Sequence, residues 1–150
     1  MFRSRVVRAA AAVAALTVLA AACGDTEDTA QTATTTTEEH GAPSVSFTSP
    51  ADGDAVSNPV IVTFAAEGFI VEPAGDVHDG AGHLHVMVDV PCVAAGESVP
   101  KDAQHLHFGK GQLEGSIDLA AGEHTLCLQA ADGAHTALDV TREVTFTVEA

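Results

Sequence analysis

The chain has 150 residues, enough for one domain with additional segments. It contains 21 acidic and six basic residues, and only three of the basic ones follow Cys23. Three cations cannot form a basic patch, which argues against nucleic-acid binding, whereas the acidity favours solubility and attracts cations.

The first 22 residues have the pattern of a secretory signal peptide. Three arginines precede an almost wholly apolar run of 14 residues, 9–22, which ends in Ala20, Ala21 and Ala22. A basic segment, a short apolar segment and small residues before a cleavage point are typical of export signals. A membrane-spanning helix needs about 20 apolar residues. We therefore predict a signal peptide over 1–22, with an uncleaved membrane anchor as the alternative.

The sequence LAAACG at 19–24 resembles a bacterial lipobox. In such signals the cysteine is lipidated and becomes the mature N-terminus. The resemblance implies that lipidated Cys23 anchors an exported protein to the extracytoplasmic face of the bacterial cell membrane. Leu19 lies four residues before Cys23, where the usual pattern places it three before, so ordinary cleavage and release is the alternative.

Residues 23–43 form a polar, threonine-rich segment. Such a composition buries too little apolar surface to offset the entropy of ordering the chain. We predict a disordered tether over 23–43, whose 20 or so residues would span about 25 Å.

From Ser44 onward, short runs rich in valine, isoleucine, threonine and phenylalanine alternate with turn residues. No segment here has a convincing helical period. We predict strands near 45–47, 59–66, 83–90, 105–108, 112–119, 124–130 and 143–148. This pattern predicts an all-β domain over 44–150, a small antiparallel immunoglobulin-like β-sandwich, with a small barrel as the alternative.

Two cysteines, Cys92 and Cys127, remain if Cys23 carries lipid. An even pair in an exported protein predicts a disulfide, because the compartment is oxidising. The alternative is a pair of thiolate metal ligands.

Alternation within the predicted strand 83–90 places His83, His85 and Met87 on one face and aliphatic residues on the other. We expect the aliphatic face to form the core and the histidine face to border solvent or a shallow groove. His105 and His107 repeat the pattern further along the chain.

Two His-x-His pairs favour a metal site, because neutral imidazole is a common ligand of copper, zinc, nickel and iron. A thioether ligand would favour copper, and a histidine after the turn at Asp132-Gly133 could complete the site. Carboxylates near the pairs could accept hydrogen bonds from ligand imidazoles. The predicted ligands are His83, His85, His105, His107, His135 and Met87, with Asp89 and Asp79 as the carboxylates. His124 alternates with leucines and is interpreted as structural.

Four segments resemble a family of extracytoplasmic bacterial domains, the domain of unknown function 4399. They are GHLHVMVD at 82–89, HLHFGKGQ at 105–112, GEHTL at 122–126 and ADGAH at 131–135. The resemblance covers about 50–148. After His135 the family often has a second histidine, where this chain has TALD at 136–139. The family name implies no activity, so function must be argued from the site.

The sequence thus predicts an anchored protein whose domain binds copper or zinc for buffering or transfer. The alternative is an interaction module that binds an envelope protein and whose histidines are structural. A superoxide dismutase-like copper enzyme is a third possibility, but its full ligand order is absent. The chain also lacks a phosphate-binding loop and a nucleophile elbow, and we predict no enzymatic activity.

Overall fold

The computed structural model describes residues 41–150, in which every regular element is a β-strand. The predicted signal peptide, Cys23 and the tether up to residue 40 lie outside the described residues. Within 41–150, no helix is long and apolar enough to cross a membrane. The strands are β1 (Ser44–Ser49), β2 (Ala55–Val56), β3 (Val60–Glu67), β4 (Ile70–Val71), β5 (Ala81–Val88), β6 (His105–Phe108), β7 (Glu114–Ile117), β8 (Gly122–Ala131) and β9 (Ala137–Val148).

The strands form two sheets that pack as a sandwich, as the sequence predicts. One sheet has the order β1-β3-β7, and the other has the order β2-β9-β8-β5-β4, with β6 also paired to β5. The short strands β2 and β4 pair in parallel with β9 and β5, and the remaining pairs are antiparallel. The predicted all-β sandwich, mainly antiparallel, is therefore confirmed, and the two short parallel pairs are a detail that the sequence pattern did not indicate.

Alternating apolar residues from both sheets fill the space between them. Val62 and Phe64 of β3 belong to the same buried cluster as Leu84, Val86 and Leu128 of the larger sheet. The ring of Phe64 also contacts that of Phe108 edge-on, with centroids 5.0 Å apart. Burial of this apolar surface is the main stabilising contribution to such a fold.

Strand β5 is buried on both faces, so its histidine face does not border bulk solvent, and His85 instead lines a cavity. Residues 89–104, here called the covering loop, connect β5 to β6 and supply part of a second buried apolar cluster on that face. The predicted disulfide between Cys92 and Cys127 is present, with Cα atoms 5.6 Å apart, and fastens this loop to β8.

Polar contacts hold the covering loop along its length. The buried Gln129 amide accepts a hydrogen bond from the Val93 N–H (2.9 Å) and donates one to the Val93 carbonyl (2.8 Å). Further along, the Val99 N–H donates to the carbonyl of His135 (3.0 Å). The loop is thereby attached both to β8 and to the turn between β8 and β9.

Candidate metal centre

Four histidines converge beneath the covering loop and at its edge: His83, His85, His107 and His135. Each offers one ring nitrogen, and the four nitrogens all lie within 4.8 Å of one another. We call this group the histidine cluster. It unites one complete His-x-His pair, one member of the second pair and the histidine after the predicted turn.

Strand geometry explains three of the four positions. His83 and His85 are two residues apart on β5 and therefore project from the same face. His107 lies directly opposite His85 in the antiparallel β5–β6 pair. Directly opposed residues project to the same side of a sheet, so His107 joins the pair on β5. The His85 and His107 rings stack with centroids 5.0 Å apart.

The fourth histidine is positioned by a turn. His135 has a φ of 71°, in the left-handed region that histidine adopts more readily than most residues. The Asp132 carboxylate accepts hydrogen bonds from the N–H groups of Ala134 (2.9 Å) and Thr136 (2.8 Å) and so holds this conformation. The turn places the His135 ring 4.6 Å from that of His83, centroid to centroid. An uncommon backbone conformation that aims a side chain at a polar cluster is a frequent feature of functional sites.

Gly109 provides space for the His107 ring. A Cβ atom built on Gly109 would overlap the His107 imidazole at Nε2 and Cε1. Any larger residue at this position would therefore displace the ring from the cluster.

The spacing of the ring nitrogens suits a single small metal ion. The Nε2 atoms of His83 and His85 are 3.0 Å apart, and those of His107 and His135 are 3.2 Å apart. Nitrogens bound tetrahedrally at 2.0–2.1 Å would be separated by about 3.4 Å. The closest nitrogens are near this spacing, whereas the widest pair, up to 4.8 Å apart, would have to move closer together around one ion. A donor set of four imidazoles suits copper, zinc or nickel.

Burial keeps the inner histidines neutral, as metal ligands must be. His83 and His85 are 0% and 2% exposed. Burial, together with repulsion from His135 and His107, lowers the pKa of His83 to about 4. Burial and repulsion from His83 and His107 lower the pKa of His85 to about 3. Burial, His135 and the charge of Lys101 also lower the pKa of His107.

The inner imidazoles are not satisfied by the protein. The Nδ1 atoms of both His83 and His85 are buried and have no hydrogen-bond partner among the described residues. An unpartnered buried polar atom costs about 1–3 kcal/mol, so natural structures rarely retain one without a functional reason. This cost argues that the cluster has a role other than stabilising the apoprotein.

The lowered pKa values make the metal-free protein sensitive to mild acid. The unfolded chain takes up protons on these histidines near pH 6.5, whereas the fold resists protonation until about pH 4 and 3. The contribution of these two histidines to the free energy of unfolding is therefore fully present above about pH 6.5. It decreases as the pH falls, by at most about 1.4 kcal/mol per pH unit for each histidine. We expect thermal unfolding with chelator present, followed by circular dichroism, to show a clearly lower Tm at pH 5 than at pH 7. Equal Tm values would contradict burial of neutral imidazoles.

Two predicted ligands lie outside the histidine cluster. Met87 is 0% exposed and packs in the second apolar cluster with Val99 and Cys127, beneath the covering loop. His105 shares the face of His107, but its Nδ1 is hydrogen-bonded to the Asp102 carboxylate at 2.7 Å. Sharing a strand face was therefore not sufficient to bring either residue into the group of four.

The predicted carboxylate partners also lie elsewhere. Asp89 accepts hydrogen bonds from His124 Nδ1 (2.8 Å) and from the Thr125 N–H (3.0 Å), whereas Asp79 is exposed in the turn before β5. His124 Nε2 also lies 2.9 Å from the carbonyl of Ala120. Burial acts to lower the pKa of His124, but these hydrogen bonds raise it above its ordinary value. Both nitrogens of His124 have partners, in keeping with a structural role.

Sequence reasoning missed two residues that shape the site, Asp132 and Gly109. Asp132 was recognised only as part of a turn, although an aspartate that starts a turn commonly accepts hydrogen bonds from the following N–H groups. The signal at Gly109 was a glycine two residues after a candidate ligand. A glycine at this spacing can leave space for the His107 ring, but this can be recognised only after the pairing of β6 is known.

Comparison with solved structures gives a match with 18% sequence identity and a TM-score of 0.40, described as "Structures of Clostridium thermocellum CbhA fibronectin(III)-like modules". The match covers 71% of this chain and 46% of that chain, so this protein spans less than half of its length. Comparison with curated proteins gives no match. The sequence profile of the family described as Domain of unknown function (DUF4399) matches residues 62–149, more than half of the chain, and the protein therefore belongs to this family.

Proposed function

We propose that this protein binds one transition-metal ion through His83, His85, His107 and His135. The observation that supports the proposal is the convergence of one nitrogen from each of four imidazoles within 4.8 Å. Burial lowers the pKa values of the two inner histidines and so favours the neutral imidazole, which is the form that binds a metal ion, and this supports the proposal further.

Copper is the favoured metal and zinc the second candidate. The packing of Met87 against apolar neighbours removes the thioether argument for Cu(I). Four imidazoles instead suit Cu(II) and Zn(II), and the general order of affinities among divalent ions places Cu(II) highest. We propose that the metal is buffered or handed on outside the cell, by a protein anchored through lipid on Cys23.

Metal titration of the purified, chelator-stripped full chain tests this function. We expect one Cu(II) or Zn(II) per chain. At 100 times the dissociation constant, binding adds about 2.7 kcal/mol to the free energy of unfolding. For a domain of this size, that corresponds to an increase in Tm of roughly 10 °C or more. Failure to saturate at micromolar metal, with an unchanged Tm, would reject the proposal.

The substitution Gly109→Ala tests the geometry without removing a ligand. The new methyl group would overlap the His107 imidazole and push it away from the ion. Misplacing a ligand through a supporting residue typically weakens metal binding by about 10- to 100-fold. Isothermal titration would measure this loss. Gly75→Ala is the matched control, because a Cβ there meets no atom within 4 Å, and its affinity should equal that of the wild type. Equal affinities for all three proteins would contradict the assigned position of His107.

A further inference from the structure

The histidine cluster opens on one side into a cavity. His83 and His85 are buried, His135 is half-buried and His107 is exposed, so an ion can approach only from the side of the outer two. A cavity of about 430 Å³ lies at that side, and its lining includes cluster members His85, His107 and His135. Six waters occupy about 180 Å³, so a hydrated divalent ion fits in the cavity.

A fifth histidine lines the same cavity. His105 precedes His107 by two residues on the edge strand β6 and faces the same side. Its Nδ1 lies 2.7 Å from a carboxylate oxygen of Asp102. A carboxylate oxygen accepts hydrogen bonds, so Nδ1 carries a proton, and in the neutral tautomer with this proton the Nε2 lone pair is available to an ion. The same Asp102 oxygen also accepts from the N–H groups of Gln104 (2.9 Å) and His105 (3.1 Å), which fixes the carboxylate.

This pair has the chemistry of a metal ligand with its supporting carboxylate. A hydrogen bond from the second ring nitrogen to a carboxylate orients a ligand imidazole and raises its basicity. None of the four cluster histidines has such a carboxylate partner among the hydrogen bonds of the described residues, whereas His105 does. The side chain of His105 is 14% exposed, so the cavity gives it contact with solvent.

We propose that His105 is a transfer ligand, which binds the ion transiently in the cavity as it enters or leaves the histidine cluster. The inference rests on the proposed metal binding. On entry, an aqua ion loses one water as His105 Nε2 binds it, and imidazoles of the cluster then replace the remaining waters and His105. Release follows the same steps in reverse, with water or an external acceptor taking the ion.

Charge at the cavity does not prevent this path. Lys101 lines the cavity and repels a cation, but the adjacent Asp102 carboxylate carries the opposite charge. His105 therefore offers an imidazole nitrogen to the ion at a point in the cavity outside the histidine cluster. Its effect should be on the rate of exchange, since an intermediate ligand absent from the final complex leaves the equilibrium unchanged.

The test measures exchange and affinity separately on the full chain. Zinc-loaded protein is mixed with a chromophoric chelator in a stopped-flow instrument, and the dissociation constant is measured by competition at equilibrium. His105→Ala should slow both uptake and release by about tenfold, while the dissociation constant stays within about twofold of the wild type. His105→Asn, which keeps a polar side chain, should behave in the same way if the alanine variant folds poorly.

His78→Ala is the matched control. His78 is also paired with a carboxylate, with its Nδ1 2.7 Å from Glu72, but it is exposed and does not belong to the histidine cluster. Its exchange rates should equal those of the wild type. Unchanged rates in His105→Ala would overturn the transfer role and leave the metal site intact. A loss of affinity of tenfold or more would also overturn it, because His105 would then be a permanent ligand. A wild-type chain that binds no zinc or copper would instead reject the metal site itself.

Discussion

Replacing both His83 and His85 by leucine is expected to abolish specific metal binding and, at the same time, to stabilise the metal-free protein. Two of the four donors are lost, and loss of even a supporting residue costs about 10- to 100-fold in affinity. The substitution also removes two buried imidazoles whose Nδ1 atoms have no partner. Each unsatisfied atom costs about 1–3 kcal/mol, and leucine fills a similar volume.

This double variant distinguishes a metal ligand from a structural histidine. Affinity would be measured by metal titration, and the free energy of unfolding by urea denaturation of the apoprotein at pH 6. His124→Leu is the control, because both nitrogens of His124 are bonded and its removal takes from Asp89 one of its two hydrogen-bond partners. We expect the control to keep its metal affinity and to lose stability. Retained affinity in the double variant, or destabilisation of its apoprotein by more than about 3 kcal/mol, would contradict the assigned role.

Removing the disulfide is expected to cause the largest loss of stability. Cys92 and Cys127 are separated by 35 residues, and closing a loop of that size contributes about 3–4 kcal/mol in the chain-entropy account. For a domain of this size, each kcal/mol corresponds to about 4 °C or more in Tm. The variant Cys92→Ala/Cys127→Ala should therefore unfold at a Tm lower by roughly 15 °C.

Reducing the Cys92–Cys127 disulfide in the wild type tests the same contribution without a mutation. Adding a thiol reductant to the wild type should lower its Tm toward that of the double variant, and the variant itself should not respond. The metal affinity should also fall, because the covering loop held by Cys92 donates the hydrogen bond from Val99 to the carbonyl of His135. A wild-type Tm that is the same with and without reductant would show that the covalent link contributes little.

Much of the fold could be predicted because each short strand has a recognisable alternation of polar and apolar residues in the sequence. The alternation of His83, Leu84, His85 and Val86 located β5 and correctly showed which residues share a face. It could not show that both faces are buried, since that depends on the covering loop, which has no period of its own. The cysteine pair was the one sequence feature that tied this loop to the sheet.

To predict the site, one must know how strands β5 and β6 pair. The sequence of either strand alone does not specify this register. His105 and His107 have equal alternation, yet the register of β6 against β5 places His107 opposite His85 and His105 opposite Met87. The sequence therefore predicted the right residue type and the right face, but it could not choose between the two members of the pair. His135 was predicted because a turn signal preceded it.

The two halves of the histidine cluster differ in how firmly the chain holds them. His83 and His85 project from a strand hydrogen-bonded on both sides, whereas His107 lies on an edge strand and His135 in a turn. The outer two imidazoles are also the more exposed ones, so we expect them to move most if the cluster binds an ion as proposed. If metal binding is confirmed, we expect an arrangement of this kind to exclude few ions by geometry, so that the strength of the metal–nitrogen bonds and the local supply would determine which metal is bound.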